Sequence, residues 1–510
     1  MLVYGALSGP LPKLGVLALA SLVALVMLHP DTRVQAGAML GALVLAPVLL
    51  LLDIWHSPQL NIIHRHPLVA AVGALLALAA VGGAALLFAR RPALLAGAVL
   101  LALPFRIPIS AGQQTNNLLV PLYFVIAAGS ICFIFRALRA GPPAGGATTH
   151  EPAPWLERLL ALYVVLYGLQ ATYSPSFQIA LQNTVFFYVP FALAYCLLRR
   201  IEWTPRLTRA CLGLIVGLAV LFALVGFIEY ATKTIFLNPK LIAANQNHTY
   251  FAVNSVFFDS NIFGRFMALV MVLLGAVLLF ARSRRMLLAI LAVLAIVWVG
   301  LVLAVSGSSL GALLVGLGTI AALRWKVRRA VFVAVGVVAV AAAVVAITPT
   351  TFGLNQGLNG ASRGRAGLVS GGLDLFTSRP VWGYGSGSFE KEYGARHHGL
   401  GQTTTASHTI PVTIAAEQGL IGLLAYVAFV LVALLTLLAR TRGDPVRIAL
   451  AAAFVALLFH TMLYADFLED PITWTLLAIG VALARGGAAG SGWGRGELVA
   501  RDRELQQQLA

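Results

Sequence analysis

Ser362–Leu424 reads SRGRAGLVSGGLDLFTSRPVWGYGSGSFEKEYGARHHGLGQTTTASHTIPVTIAAEQGLIGLL. It is the longest polar interruption in an otherwise hydrophobic chain. It holds five basic residues and three of the ten histidines, and its glycines alternate at Gly383, Gly385 and Gly387. Charged and polar residues at a junction between membrane helices are costly to keep, so such a junction marks a working site.

The sequence around it is hydrophobic. Of 510 residues, 60% are hydrophobic and 10% charged, and the mean hydropathy is +0.89. Soluble domains carry about 25% charged residues. Here the apolar residues fall in runs close to the ~20 needed to cross a bilayer core. Backbone polar groups in lipid must be satisfied within the segment, and runs of this length do so as helices rather than barrel strands. The expected fold is therefore an all-α polytopic membrane protein with about 15 transmembrane helices. They are placed at 14–28, 34–52, 68–89, 92–104, 118–138, 156–171, 178–198, 208–230, 261–281, 286–305, 308–323, 329–347, 411–438, 447–464 and 473–486.

The net charge of +17 follows the loops. Alternate loops hold Arg199/Arg200/Arg206/Arg209, Arg282/Arg284/Arg285, Arg324/Lys326/Arg328/Arg329 and Arg440/Arg442/Arg447. Basic residues mark the cytoplasmic side. The charge thus reports topology, and nucleic acid is not an expected partner. The C-terminus is expected in the cytoplasm of a bacterial plasma (inner) membrane, and the 348–410 loop outside. Cys132, Cys196 and Cys211 offer no disulfide framework or metal-binding spacing. Residues 1–30 lack the features of a signal peptide. No internal repeat is visible, which weighs against a transporter built on inverted repeats. Ala140–Pro154 reads as a flexible linker, and the 487–510 tail as a solvated cytoplasmic end.

Several motifs recur in order. Phe258-Asp259-Ser260-Asn261-Ile262-Phe263-Gly264-Arg265 opens a span. Arg365 is followed by Pro380, Gly383-x-Gly385-x-Gly387-x-Phe389, Ser407-His408 and Glu417-x-Gly419-x-x-Gly422. His460 and Asp466–Trp474 close the last two spans. Together they resemble the signature of the O-antigen ligase/polymerase superfamily over residues 92–486. The resemblance implies a 12-helix core of the polyprenyl-phosphate-sugar (GT-C-like) glycosyltransferase type with an N-terminal transmembrane extension at 1–91. The core would run through 92–347, an extracytoplasmic catalytic loop at 348–410, and 411–486. It implies transfer of a glycan from an undecaprenyl-diphosphate-type lipid donor to an acceptor hydroxyl at the outer leaflet, with a glycan or lipid acceptor and membrane lipids as the other partners. No cofactor and no metal are implied. Family members often have Ser-x-Ser-Arg where this chain has Ser306-Gly307-Ser308-Ser309. Either Arg265 or Arg363 supplies the missing charge, or the donor or reaction differs.

Departure of a lipid diphosphate leaves negative charge, which the planar, permanently charged guanidinium suits. Arg365 and Arg363 are the expected substrate-binding arginines, with Arg265 and Asn261 at the start of the 261–281 span. Arg265 has Asp259 as an alternative partner. Gly383 and Gly385 offer either N–H groups to phosphate or a bend in the loop. His408 is the expected general base, since a neutral imidazole accepts a proton near neutral pH. Glu417 is expected to orient His408 or pair with an arginine. Tyr384, Phe389, Tyr393 and Trp382 are candidates for stacking on sugar rings or for interfacial anchoring. The alternative function is a transporter or flippase for a glycolipid or small anion.

Overall fold

The computed structural model describes residues 9–55, 60, 64–111, 114–139, 154–237, 241–242, 245–246, 250–281, 283–325, 365–396, 406–439, 441, 443–464 and 466–486. The helices are α1 (Pro10–Leu28), α2 (Thr32–Asp53), α3 (Pro67–Arg90), α4 (Ala93–Ala102), α5 (Val120–Arg139), α6 (Trp155–Ala171) and α7 (Phe177–Leu198). They continue as α8 (Pro205–Thr232), α9 (Ser260–Leu278), α10 (Arg284–Leu303), α11 (Gly307–Arg324), α12 (Arg365–Ser378), α13 (Phe389–Arg396), α14 (Ile410–Leu438), α15 (Pro445–Thr461) and α16 (Pro471–Gly486). Among the described residues ten helices are long and apolar enough to cross a membrane. The chain is a polytopic, essentially all-helical membrane protein.

One expected span is corrected. The 92–104 segment forms only the 10-residue α4, about 15 Å of helix, half of a ~30 Å hydrocarbon core. The residues after it are not helical. Ile107–Ala111 and Gln114–Leu118 pair as an antiparallel hairpin, β1 and β2. Pro104 directly follows the C-cap Leu103 and cannot continue the helix. The predicted 329–347 span lies outside the described residues.

Helix ends follow local chemistry. The side chains of Asp31, Thr204, Asp259, Ser283, Ser306 and Asp444 each accept an N–H of the following turn, which satisfies groups that otherwise end unpaired. In α7 the residues Thr184–Tyr188 form a π turn.

The centre of the bundle is the crossing of α9, α11 and α15. A Cβ on Gly264 would lie 2.9 Å from Ser309 Oγ, and one on Gly316 would lie 2.4 Å from Val272 Cγ2. Glycines let the backbones approach where lipid offers no hydrophobic drive for helices to associate. Of the N-terminal pair, α2 packs on α5, and α1 packs on α6, where Gly168 would place a Cβ 2.8 Å from Ala20. At that end Arg199 pairs with Glu157 at 2.5 Å and donates to the Met27 carbonyl at 3.2 Å. Both partners of the pair are nearly fully buried.

The connections therefore sort into two ends. Turns near 29–35, 154–157 and 199–204 meet at one end. Residues 173–176, 251–261, 304–309, 379–396, 406–413 and 460–470 meet at the other. If the basic clusters are cytoplasmic, a cysteine in place of exposed Thr377, in a variant lacking the native cysteines, is labelled by an impermeant reagent in intact cells. A cysteine in place of Arg209 is labelled only after permeabilisation. The reverse pattern would invert the topology.

Candidate active site at the polar end of the bundle

Asn261, in the first turn of α9, begins the network. Its Oδ1 accepts the Ser306 hydroxyl at 2.8 Å and the Ser308 hydroxyl at 3.4 Å. Ser306 Oγ lies 2.8 Å from Ser309 Oγ. His460, at the end of α15, brings its Nε2 to 3.2 Å from Ser308 Oγ and 3.4 Å from Ser309 Oγ. The His460 side chain is fully buried, and its Nδ1 has no hydrogen-bond partner among the described residues. One turn on, the Tyr464 hydroxyl donates to Asp259 Oδ2 at 3.1 Å, while Asp259 Oδ1 caps α9 through Asn261 N at 2.6 Å. The Tyr464 ring lies between two histidines, 5.7 Å from His460 and 6.2 Å from His408 between ring centroids.

Arg265, one turn inside α9, is buried and pairs with Asp470 at 2.9 Å. Asp259, its alternative partner on the same helix, is instead used by the cap and Tyr464. Nε and Nη1 of Arg265 have no hydrogen-bond partner among the described residues. A cavity of about 10 Å³ is lined by Arg265, Arg106 and Asp470. Arg365 begins α12, and its charge acts on both His408 and His460. Arg363 lies outside the described residues, as do His397 and His398.

His408 stands two residues before α14 with φ of 60°. Ser255, Val305 and Asp466 also take positive φ at this end of the molecule. Such non-glycine residues cost about 1–3 kcal/mol each and persist where surrounding structure holds them. Burial holds the His408 imidazole below its usual range. Arg365 adds to this and Asp259 opposes it. His408 is thus neutral at physiological pH. On the loop before α16, burial and negative neighbours raise two carboxyls, Asp466 to about 6 and Glu469 to about 8. For Asp466, Arg265 and Arg106 oppose the rise.

The glycine loop and Glu417 form a different unit. Gly383, Gly385 and Gly387 have φ of 66°, 100° and 73°. Their N–H groups go to Arg379 O at 3.1 Å, Glu417 O at 2.7 Å and Glu417 Oε2 at 2.8 Å. Glu417 Oε1 accepts Phe389 N at 3.0 Å. This carboxylate therefore holds the entrance to α13, and its described partners are neither His408 nor an arginine. The glycine N–H groups are spent on protein acceptors, which corrects their expected use for phosphate: Gly383 and Gly385 serve the bend. Opposite them Gly419 breaks α14 with φ of 64°.

Of the aromatics expected to meet sugars, Tyr384, Phe389 and Tyr393 pack into a small core with Leu368 and Leu375. Arg379 lies 4.5 Å over the Tyr384 ring. Trp382 stays exposed. The sequence reading did not select Ser306, Ser308, Ser309, His460, Tyr464 or Asp470 as site residues. Their signal was present as polar residues at the ends of apolar spans.

Residues 292–427 match the family model described as O-antigen ligase. The match takes in the serines of α11, Arg365, the glycine loop, His408 and Glu417, and leaves Asn261, Arg265 and His460 outside. The chain has no match among the curated proteins.

The glycine bend sets a stability test. At Gly385 a Cβ would meet Ser174 Cα at 2.6 Å on a backbone of φ 100°, whereas at Gly318 it meets nothing within 4 Å. Gly385→Ala is expected to destabilise by about 1–3 kcal/mol, read as a lower midpoint of thermal unfolding in detergent. Gly318→Ala is expected to leave the midpoint unchanged or raise it.

Proposed function

We propose that the chain, whose residues 292–427 match the O-antigen ligase family model, transfers a glycan from a lipid-diphosphate donor to an acceptor hydroxyl at the outer leaflet of a bacterial plasma membrane. The observation that carries this reading is His408, kept neutral beside the charge of Arg365 at the polar end of an apolar bundle. A neutral imidazole next to a permanent cation suits a reaction that removes a proton from one reactant and leaves negative charge on the other.

In this reading the acceptor hydroxyl attacks the anomeric carbon of the donor sugar. A new C–O bond forms as the bond to the diphosphate oxygen breaks. His408 takes the hydroxyl proton, and the electron pair of the broken bond stays on the diphosphate. Arg365 and Arg363, with the unspent Nε and Nη1 of Arg265, take up that charge. Ser309, standing where relatives often have arginine, hydrogen-bonds to the Asn261 carbonyl and supplies no charge. Arg265 is the nearest replacement on the facing helix. Glu417 acts by holding the loop of 383–389 in place. The arginines provide the electrophilic assistance, so the reaction is expected to be insensitive to chelators.

The test is product analysis in reconstituted vesicles with a labelled lipid-linked donor. His408→Ala is expected to lower turnover by about 10²–10⁴ while donor binding persists. Wild-type turnover in this variant would remove His408 from the chemistry. The base form is present above the depressed His408 value and lost as pH falls through it. Activity should therefore be level around neutrality and decline on acidification, with a midpoint below the ordinary ~6.5. Arg365→Lys should not restore wild-type activity, because lysine lacks the bidentate fork. A transporter would move intact substrate and form no glycosidic bond with any donor and acceptor pair.

A further inference from the structure

A second polar cavity lies beside the glycine loop. It measures about 50 Å³ and is lined by Tyr163, Tyr167, Tyr188, Glu417, Gln418, Tyr426 and Glu469, among others. At about 10–15 Å³ per water, it has room for an ion and a small part of its hydration shell. Two carboxylates face it, and none of the lining residues is Lys, Arg or His.

Its polar atoms are unevenly used. Both Glu417 oxygens accept loop N–H groups. Glu469 Oε1 accepts from Asn183 at 3.1 Å, and the Tyr167 hydroxyl accepts from the same amide at 3.0 Å. Gln418 Nε2 donates to the Tyr163 hydroxyl at 3.1 Å. The Gln418 Oε1 and Tyr426 hydroxyl atoms are buried with no hydrogen-bond partner among the described residues. Gln418 is 1% exposed and Tyr426 3%. An amide oxygen and a hydroxyl without partners sit beside two carboxylates that meet only neutral donors, and no lining residue brings positive charge. Burying such groups unpaired is costly.

We propose that this cavity binds one small monovalent cation, ligated by the Glu469 carboxylate, the Gln418 side-chain oxygen and the Tyr426 hydroxyl oxygen, with Glu417 adding a second negative charge. Hard cations take oxygen ligands. Both Glu417 oxygens are engaged by backbone N–H groups, which leaves Glu469 as the one carboxylate free to ligate, and a singly charged ion matches that single ligating charge.

The charged and titratable groups around Glu469 all point the same way. Tyr163 and Tyr167 come from α6, Tyr188 from α7, and Glu417 and Tyr426 from α14. Asp466 precedes Glu469 on its own loop. None supplies a positive charge. Without the cation a proton takes its place, in keeping with the Glu469 carboxyl being pushed up to about 8 by burial, Asp466 and Glu417. Cation binding then displaces that proton, so affinity rises with pH. This site is independent of the glycan-transfer reading, and its test needs no glycan.

The experiment uses the full-length protein in detergent at constant ionic strength, with choline chloride replaced stepwise by NaCl, KCl or NH₄Cl. Thermal unfolding is followed about one unit above and about two units below the Glu469 value. At the higher pH the midpoint is expected to rise and saturate as for one site with at least one of the three salts. At the lower pH the response should be weak. Glu469→Gln should weaken the apparent affinity at least about tenfold, and Tyr426→Phe by less. Addition of the same salt to the wild-type protein in weak buffer should release protons, which decides the matter if Glu469→Gln does not fold. Identical curves in choline, sodium, potassium and ammonium would leave only a proton and water in the cavity and overturn the proposal. So would an undiminished cation response in Glu469→Gln.

Discussion

The site depends on how closely α9, α11 and α15 can approach. Lipid tails are as apolar as leucine, so helices in a bilayer gain little from hiding apolar surface against one another. What holds this crossing is fit. Gly264 faces Ser309, Gly311 faces Phe459 and Gly316 faces Val272, each with no room for a further carbon. That proximity also brings the Asn261 side-chain oxygen, three serine hydroxyls and the His460 ring within hydrogen-bonding distance. A side chain at Gly264 would separate the helices and break the polar network together. Packing and site geometry are here one constraint.

The loop of 466–470 carries charge to two neighbours. Asp470 neutralises Arg265 on one side, and Asp466 feels both Arg265 and Arg106. Glu469 turns to the tyrosine-lined cavity on the other. A change of charge on one side is felt on the other through only a few residues, since Asp466 acts on Glu469 as well. Buried pairs of this kind are poor evidence of stability, because desolvation offsets the attraction. Their value lies in holding a guanidinium and a carboxylate in fixed positions.

Much of this was legible in the chain itself. Long apolar runs identify the helices, since a lipid-embedded backbone has few other solutions. The order of Asn261, Arg365, the glycine repeat, His408 and Glu417 points to one end of the bundle. Pairings between distant segments were not legible. Arg265 takes Asp470 rather than Asp259, and Glu417 takes the N–H groups of 387 and 389 rather than an imidazole. Those choices depend on how each helix is rotated, and an all-round apolar helix carries no periodicity that reveals its rotation. His460 was visible as a motif residue, but its pairing with Ser308 and Ser309 was hidden for the same reason. The glycine repeat was ambiguous between a phosphate cradle and a bend, and only the engaged N–H groups decide it. The brevity of α4 escaped because hydropathy registers composition, while Pro104 and the hairpin act on backbone conformation.

The central claim is that the polar end of the bundle receives the diphosphate of a lipid-linked glycan. A cryo-EM map of the full chain with a non-hydrolysable lipid-diphosphate sugar bound tests it most directly. The account predicts diphosphate density within hydrogen-bonding distance of the Arg365 guanidinium, with the anomeric carbon on the side of His408 and the lipid leaving the bundle at the same end. Donor density at the end where Arg199 meets Glu157, or bound at the polar end with no arginine touching phosphate, would contradict it.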